Sequence, residues 1–494
     1  MFFHVLSTYG PFRPSNRESL LLPHSISWQG ECNMISRKSK VPSPLFTVES
    51  IGIEPVPDSH RYGGAKNLFW VWFAGNLSFA YLVIGAVIWT FGLSLWQSVL
   101  ALIAGLSTYW IIGYLGLPGQ RTGLPTMAYS ARYFGLRGNR FMAVVSWVNM
   151  LGWETVVLVI ATYSMETILQ LLLGVSPKMS WILLSLLISA VLELSIAFVG
   201  HALIERFQQW FSYIFGTLTL VVLLAFMPHI SWEAILNKTS GPWLSGFIPA
   251  ATIVVAASVL SWVTTASDYT RHLPRKIPGA KVVHAAFWGS VTSTGIMMLA
   301  GLILGQSAPG LASAVNPIAL LLKWMPAWAE IPYLLVTMIG IIAGGILDAY
   351  SSGLSLLAAG VKIPRSRTIG VDAIVSISAT LYVVLVSQQF LFSFEAFLTL
   401  IAGLLAPWAA IAIVNVARSP RTSASAAMIS WAAGVIAALC TTSTSIFTGP
   451  LAVGIFRISS LGYFLGFTIA LGIYLLWSLI WPLKQAEISN SPTN

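Results

Sequence analysis

An ionisable group inside an apolar stretch is costly in hydrocarbon and is kept there mainly for binding or for proton transfer. Four acids are placed this way: Glu154 in NMLGWETVV, Glu193 in VLELSIAF, Asp348 in GGILDAYSSGL and Asp268 in TTASDYTRHLP. Asp348 is the strongest candidate, because Gly344, Gly345, Ser351, Ser352 and Gly353 around it let another segment approach closely. Glu193 lacks an aromatic or small-residue neighbourhood and reads as a structural hydrogen bond, while Asp372 and Glu395 stand near segment ends and read as solvated. Trp153 precedes Glu154, and Asn149 stands one turn before Trp153. On a helix Asn149 and Trp153 share a face, and Glu154 is turned about 100° away.

These residues need backbone that can open at membrane depth. In residues 256–274, AASVLSWVTTASDYTRHLP, small and hydroxylated side chains (Ala256, Ala257, Ser258, Ser261, Thr264, Thr265, Ser267) crowd an apolar run that then meets charge. Such a stretch predicts a discontinuous helix facing a cavity. The plain alternative for any one hydroxyl is a bond back to the carbonyl four residues earlier. Trp262 adds a flat ring beside the break. Asp268 and Arg271, three apart, are expected to pair at the water boundary and to act as a gate. Gly75 and Asn76 lie well inside the first apolar run and tolerate unwound backbone, so a second break is expected there; close helix packing is the other use of Gly75.

With 494 residues, 56% hydrophobic and 9% charged, and a mean hydropathy of +0.80, the chain cannot hide its apolar surface in one soluble core. It reads as an all-α polytopic membrane protein. Twelve apolar segments can be marked at 68–93, 95–117, 140–173, 181–200, 204–227, 246–267, 284–306, 331–360, 369–388, 392–417, 425–445 and 460–482, called spans one to twelve below. Residues 1–66, polar and rich in Pro and Ser, are expected to be a disordered tail without a signal peptide; Met34, before the basic RKSK, is an alternative start. The arginine-rich loop between spans two and three suits either a short interfacial helix or a solvated connection. An even number of spans puts both termini on one side. Placing them in the cytoplasm puts every one of the 26 Lys and Arg residues there except Lys178, Lys238, Lys323 and Arg457, which fixes the expected orientation and a cytoplasmic-membrane location.

The net charge of +10 is spread over many short loops and forms no nucleic-acid stripe. Cys32 and Cys440 fall in regions that should not meet, so no disulfide or cysteine metal site is expected. The sequence has no HExxH, GxSxG or P-loop, which argues against an enzyme and against an ATP-driven pump.

Several motifs in order, VESIGIEPVPDSHRYGGAKNLFWVWFAGNLS, GQRTGLPTMAYSARYFGLRGN, the GW of span three, SWVTTASDYTRHLP, ILDAYSSGLSLLAAGVKIPR and LLAPWAAI, resemble the nucleobase:cation symporter family, purine-cytosine permease branch, over residues 48–416. The resemblance implies a leucine-transporter-like fold, with inverted five-helix repeats over 67–227 and 246–417, two C-terminal helices over 425–482 and a cytoplasmic tail over 483–494. It implies a substrate site between spans one, three, six and eight: Trp153 stacking on a flat heterocycle, the stretch from Ser258 through Ser261 to Trp262 giving backbone and ring contacts, and Asp348 the polar contact of span eight. With the residue-based candidates Gly75, Asn76 and Asn149, these make up the expected substrate contacts.

The sequence departs from that family in two places. Relatives often carry an amide or acid one turn after the tryptophan, where this chain has Val157, and sodium-dependent members use hydroxyls in the first half of span eight, where only Thr337 stands. The expected function is therefore import of a nucleobase or related heterocycle by a monomeric symporter, coupled to H+ in preference to Na+ through Asp348 or Glu154, with no cofactor beyond the coupling cation. Another small ring compound, such as a hydantoin, allantoin or a vitamin precursor, is the alternative cargo.

Overall fold

The computed structural model describes residues 45–176, 178–308, 310–314, 316–387, 390–418, 422–459 and 461–480, with the side chains of 387 and 390–393 excepted. Met34, Cys32 and the 483–494 tail lie outside them. Ten helices among the described residues are long and apolar enough to cross a membrane. An eleventh span is the bent pair Ala65–Asn76 and Phe79–Thr90, and Ala424–Cys440 is a shorter apolar helix. Each overlaps one of the segments marked in the sequence, because an apolar run without charge has no other way to satisfy its backbone in lipid.

Span one breaks where Gly75 and Asn76 were expected to let it. The two helices are bent by 60° about Leu77 and Ser78, and the Ser78 side chain caps the second by accepting from Ala80 N. Span six runs from Trp243 to Trp262. It widens to a π turn at Val255–Val259 and gives way after Trp262 to consecutive turns through Arg271, all of them buried. The break thus falls just beyond the tryptophan.

The loop between spans two and three is helical. Span two extends to Thr122, and the next helix, Thr126–Leu173, contains a non-helical Gly135 at φ 67°, which sets a short helix at an angle before span three proper. A helix is thus present in this loop, as one of its two readings expects. Spans one and seven are in backbone contact. A Cβ at Gly289 would come 2.5 Å from Phe69 O, and side chains at Gly85 or Gly301 would run into the carbonyls of Met298 and Leu82.

Residues 49–64 correct the expected tail. Glu49 N donates to Val199 O (2.8 Å), Val56 N to Gly123 O (3.0 Å) and Tyr62 N to His272 O (2.8 Å), and Arg61 is 9% exposed. Polarity and proline gave this stretch no core of its own. It uses the carbonyls that helix ends leave unpaired.

Candidate functional site

The two breaks bring aromatic and amide groups from spans one, two, three and six into one buried cluster, the candidate substrate chamber. Asn76, the last residue before the first break, is fully buried. Its Oδ1 accepts from Tyr81 OH (3.1 Å) and Tyr109 OH (2.9 Å), and its Nδ2 donates to Trp72 O (2.9 Å). Trp262 Nε1 donates to Tyr81 OH (3.3 Å), and its ring meets Trp72 edge-on at 5.6 Å. Trp153 enters from span three, its ring 6.3 Å from Tyr81 and 5.2 Å from Phe394. It is 7% exposed, and its Nε1 has no hydrogen-bond partner among the described residues. Asn149, one turn before Trp153 as the helix spacing requires, donates to Ser261 O (2.8 Å) and leaves its Oδ1 unpartnered. Asn76 and the two tyrosines are thus bonded to one another and to their neighbours, whereas Trp153 Nε1 and Asn149 Oδ1 are polar groups beside the rings that have no partner among the described residues.

The serines of span six take the plainer of their two readings. Ser258 Oγ donates to Val254 O (2.5 Å), and Ser261 Oγ lies 3.3–3.4 Å from the carbonyls of Ala256 and Ala257, so both hydroxyls are bound to their own helix, with that of Ser258 also beside Tyr109 OH. What Ser261 gives the chamber is its carbonyl. Gly75 packs against span eight: a Cβ there would strike the Leu347 side chain, and a Cβ on Gly344 would come 3.0 Å from Gly75 O. Asp348 is 3% exposed and close enough to Tyr81 and Tyr269 to act on both electrostatically. Thr337 faces an apolar crevice with Leu77, Phe79, Phe226 and Tyr333.

Asp268 and Arg271 do not pair with each other. The chain here forms turns and not a regular helix, so three-residue spacing does not align them. Asp268 Oδ1 accepts from Thr126 N (2.8 Å) and Thr126 Oγ1 (3.0 Å), which satisfies the start of the helix before Gly135. Arg271, fully buried, donates to Gly52 O (2.5 Å), Glu49 Oε1 (2.9 Å) and Tyr350 OH (2.8 Å). Glu49 also accepts from His201 N (2.9 Å) and Tyr350 OH (3.2 Å), and Arg365 donates to Glu49 O and to the carbonyls of Ala197 and Phe198. One segment thus ties together the ends of spans four, six and eight and the start of span nine.

Two acids are corrected. Glu193 is fully buried, and neither of its oxygens has a hydrogen-bond partner among the described residues, so it is not the structural hydrogen bond it was expected to be. Asp372, expected in solvent, is fully buried with Oδ1 accepting from Trp147 Nε1 (2.9 Å). Sequence reasoning missed Tyr81, Tyr109, Tyr350 and Glu49. Tyr81 carried a usable signal, since it stands five residues after Asn76 across the expected break. Glu49 carried none.

Residues 55–466 match the family model described as permease for cytosine/purines, uracil, thiamine, allantoin. The Bacillus subtilis (strain 168) protein YxlA, named provisionally as a purine-cytosine permease, is 28% identical over 388 residues, covering 74% of this chain and 79% of that protein. The Saccharomyces cerevisiae purine-cytosine permease FCY21 is 23% identical over 271 residues, or 54% of this chain and 49% of its own length. Among solved structures, Mhp1, a nucleobase-cation-symport-1 family transporter in a closed conformation with bromovinylhydantoin bound, superposes with a TM-score of 0.65 at 17% identity, covering 86% of this chain and 95% of that one.

Proposed function

Since the chain belongs to the permease family for cytosine/purines, uracil, thiamine and allantoin, within the nucleobase:cation symporters, we propose that it imports a nucleobase through the aromatic chamber, driven by a cation gradient. It is a multi-pass membrane transporter and not an enzyme. We place it in the cytoplasmic membrane as a monomer with both termini inside, on twelve spans in which spans one to five and six to ten are inverted repeats. The paired breaks in spans one and six support that arrangement. The observation that carries the cargo reading is the meeting of Trp153, Trp262, Tyr81 and Asn76 at those breaks. Stacking between aromatic rings in a desolvated site favours a flat heterocycle, and the amide and hydroxyl groups beside the rings suit its polar edge. The unpaired Trp153 Nε1 and Asn149 Oδ1 would equally suit the amide edge of a hydantoin or allantoin, which keeps such compounds as second candidates.

Coupling to H+ is our reading in preference to Na+. Against the unwound part of span one, span eight presents Gly340 and Gly344, and its Thr337 faces the apolar crevice, so hydroxyl ligands for sodium are few. Asp348 is an exchangeable carboxyl beside the chamber. Thermal-shift screening with purines, pyrimidines and their breakdown products identifies the cargo, and proteoliposomes then test the coupling. The expected result is accumulation under an inward proton gradient without sodium, lost in Asp348→Asn. Accumulation that requires sodium and ignores pH would overturn the proton reading.

A further inference from the structure

Beside the chamber lies a second group of acids drawn from four spans. Glu154 on span three lies within electrostatic reach of Asp372 of span nine, Glu193 of span four and Asp348 of span eight, and Glu193 lies within reach of Asp348. Glu154, Glu193 and Asp372 are fully buried. Among the described residues, four oxygens of Glu154 and Glu193 and Oδ2 of Asp372 have no hydrogen-bond partner, and none of the four acids forms an ion pair with Lys, Arg or His.

A separate feature points into this group. Ser352 Oγ is fully buried and placed to interact with the carboxyls of both Glu154 and Asp372, although no contact among the described residues reaches full hydrogen-bond geometry. Ser185 and Ser189, eight and four residues before Glu193 on the same face of span four, are buried with unpartnered hydroxyls as well. On span eight Gly345 leaves room for Glu193: a Cβ there would come 2.5 Å from Glu193 Oε1.

Buried carboxylates without donors or counter-ions repel one another and lose their hydration, and taking up a proton relieves both costs. Among the described residues, no three His, Cys, Asp or Glu side chains are close enough to hold a metal ion. A proton needs a single carboxyl oxygen and no such set of ligands, and it is the ligand this chemistry suits. Asp348 belongs to both places, with Tyr81 and Tyr269 of the chamber on one side and Glu193 and Glu154 on the other.

We propose that Glu154, Glu193, Asp348 and Asp372, with Ser352 among them, form a proton-holding site lateral to the substrate chamber, in which Asp348 exchanges protons with the chamber and Glu193 is the inner acceptor. In each transfer one carboxylic O–H bond breaks and one forms on a neighbouring carboxylate, directly or through the Ser352 hydroxyl, and no electron is exchanged. The proposal rests on the proton-coupled reading above and adds spans four and nine to it.

The test is Glu193→Gln, with Glu193→Asp as its companion, in full-length protein. Infrared absorption spectra of the purified protein at neutral pH should show buried carboxylic-acid carbonyl bands in wild type, one of which is lost in Glu193→Gln. Identical spectra overturn the site, whatever the protein transports. In proteoliposomes Glu193→Gln should keep nucleobase counterflow, which needs no gradient, and lose accumulation driven by a proton gradient. An unchanged pH profile of accumulation overturns the proposal. If Glu193→Gln loses counterflow too, Glu193→Asp decides: counterflow with a shifted pH profile supports the site, and a wild-type profile sinks it. Wild type without counterflow of any nucleobase would instead refute the cargo reading and leave the infrared result standing.

Discussion

Replacing Glu49 by glutamine asks whether residues 49–64 hold the face formed by Arg271, Tyr350 and His201 shut. Arg271 is fully buried, and its only carboxylate partner within ion-pair distance among the described residues is Glu49 at 2.9 Å. Glutamine keeps the size and one acceptor, so the change isolates the charge. Breaking a buried pair by removing one partner costs about 3–5 kcal/mol. Because the Glu49 side chain is 13% exposed, the lower end applies: about 3 kcal/mol, or about a hundred-fold in the balance between closed and open forms. The assay is thiol labelling of Thr265→Cys, a fully buried position just inside this face, in a background with Cys32 and Cys440 replaced by serine. Labelling should quicken by about that factor in Glu49→Gln, and an unchanged rate would refute the reasoning. A pH series adds a sign. Burial alone would raise the Glu49 carboxyl, but the charges of Arg271 and Arg365 outweigh it and hold it below its ordinary value. A depressed folded value means that the stabilisation is complete above the ordinary carboxylate value and is lost only as the pH falls through the lowered one. The ratio of the Glu49→Gln rate to the wild-type rate, in which the thiol's own pH dependence cancels, should therefore stay large from neutrality down to about pH 4 and fall towards one below it.

Trp153→Ala should raise the apparent Km for uptake about five-fold or more, from the loss of about 1–3 kcal/mol of ring stacking; uptake equal to wild type at equal expression would make Trp153 a packing residue. Gly301→Ala should lower the melting temperature of the detergent-solubilised protein, since the new methyl meets the Leu82 carbonyl at an overpacking cost of about 1–3 kcal/mol. Gly472→Ala, where nothing lies within 4 Å, should leave it unchanged, and equal melting of the two variants would refute the close contact.

The spans, both breaks and the shared face of Asn149 and Trp153 were legible because each is a local property: an apolar run, a Gly-Asn pair, one helical turn. The errors lie where a residue's fate is set by distant chain. Glu49 meets Arg271 across 222 residues, and nothing in a polar, proline-containing stretch announces which carbonyls it will find. Asp268 and Arg271 misled because their spacing has meaning only on a helix, and the helix ends before them. Glu193 looked isolated along span four because its neighbours, Glu154 and Asp348, come from other spans. Ser258 and Ser261 follow the local alternative, in which a hydroxyl bonds a carbonyl one turn behind it.

The contacts of span seven bear on how the bend in span one can be used. Gly289 touches the helix before the bend, at Phe69, while Met298 and Gly301 touch the helix after it, at Gly85 and Leu82, and all three lie on one uninterrupted helix, Gly279–Ser307. Span seven is thus a splint across a fracture. With backbones this close there is no side-chain layer to take up a change of angle, so the two pieces of span one can swing only by dragging span seven with them or by sliding along it. Substitutions on the glycine face of span seven, remote from any ring or carboxylate of the chamber, would then register as altered transport rates with substrate affinity left intact.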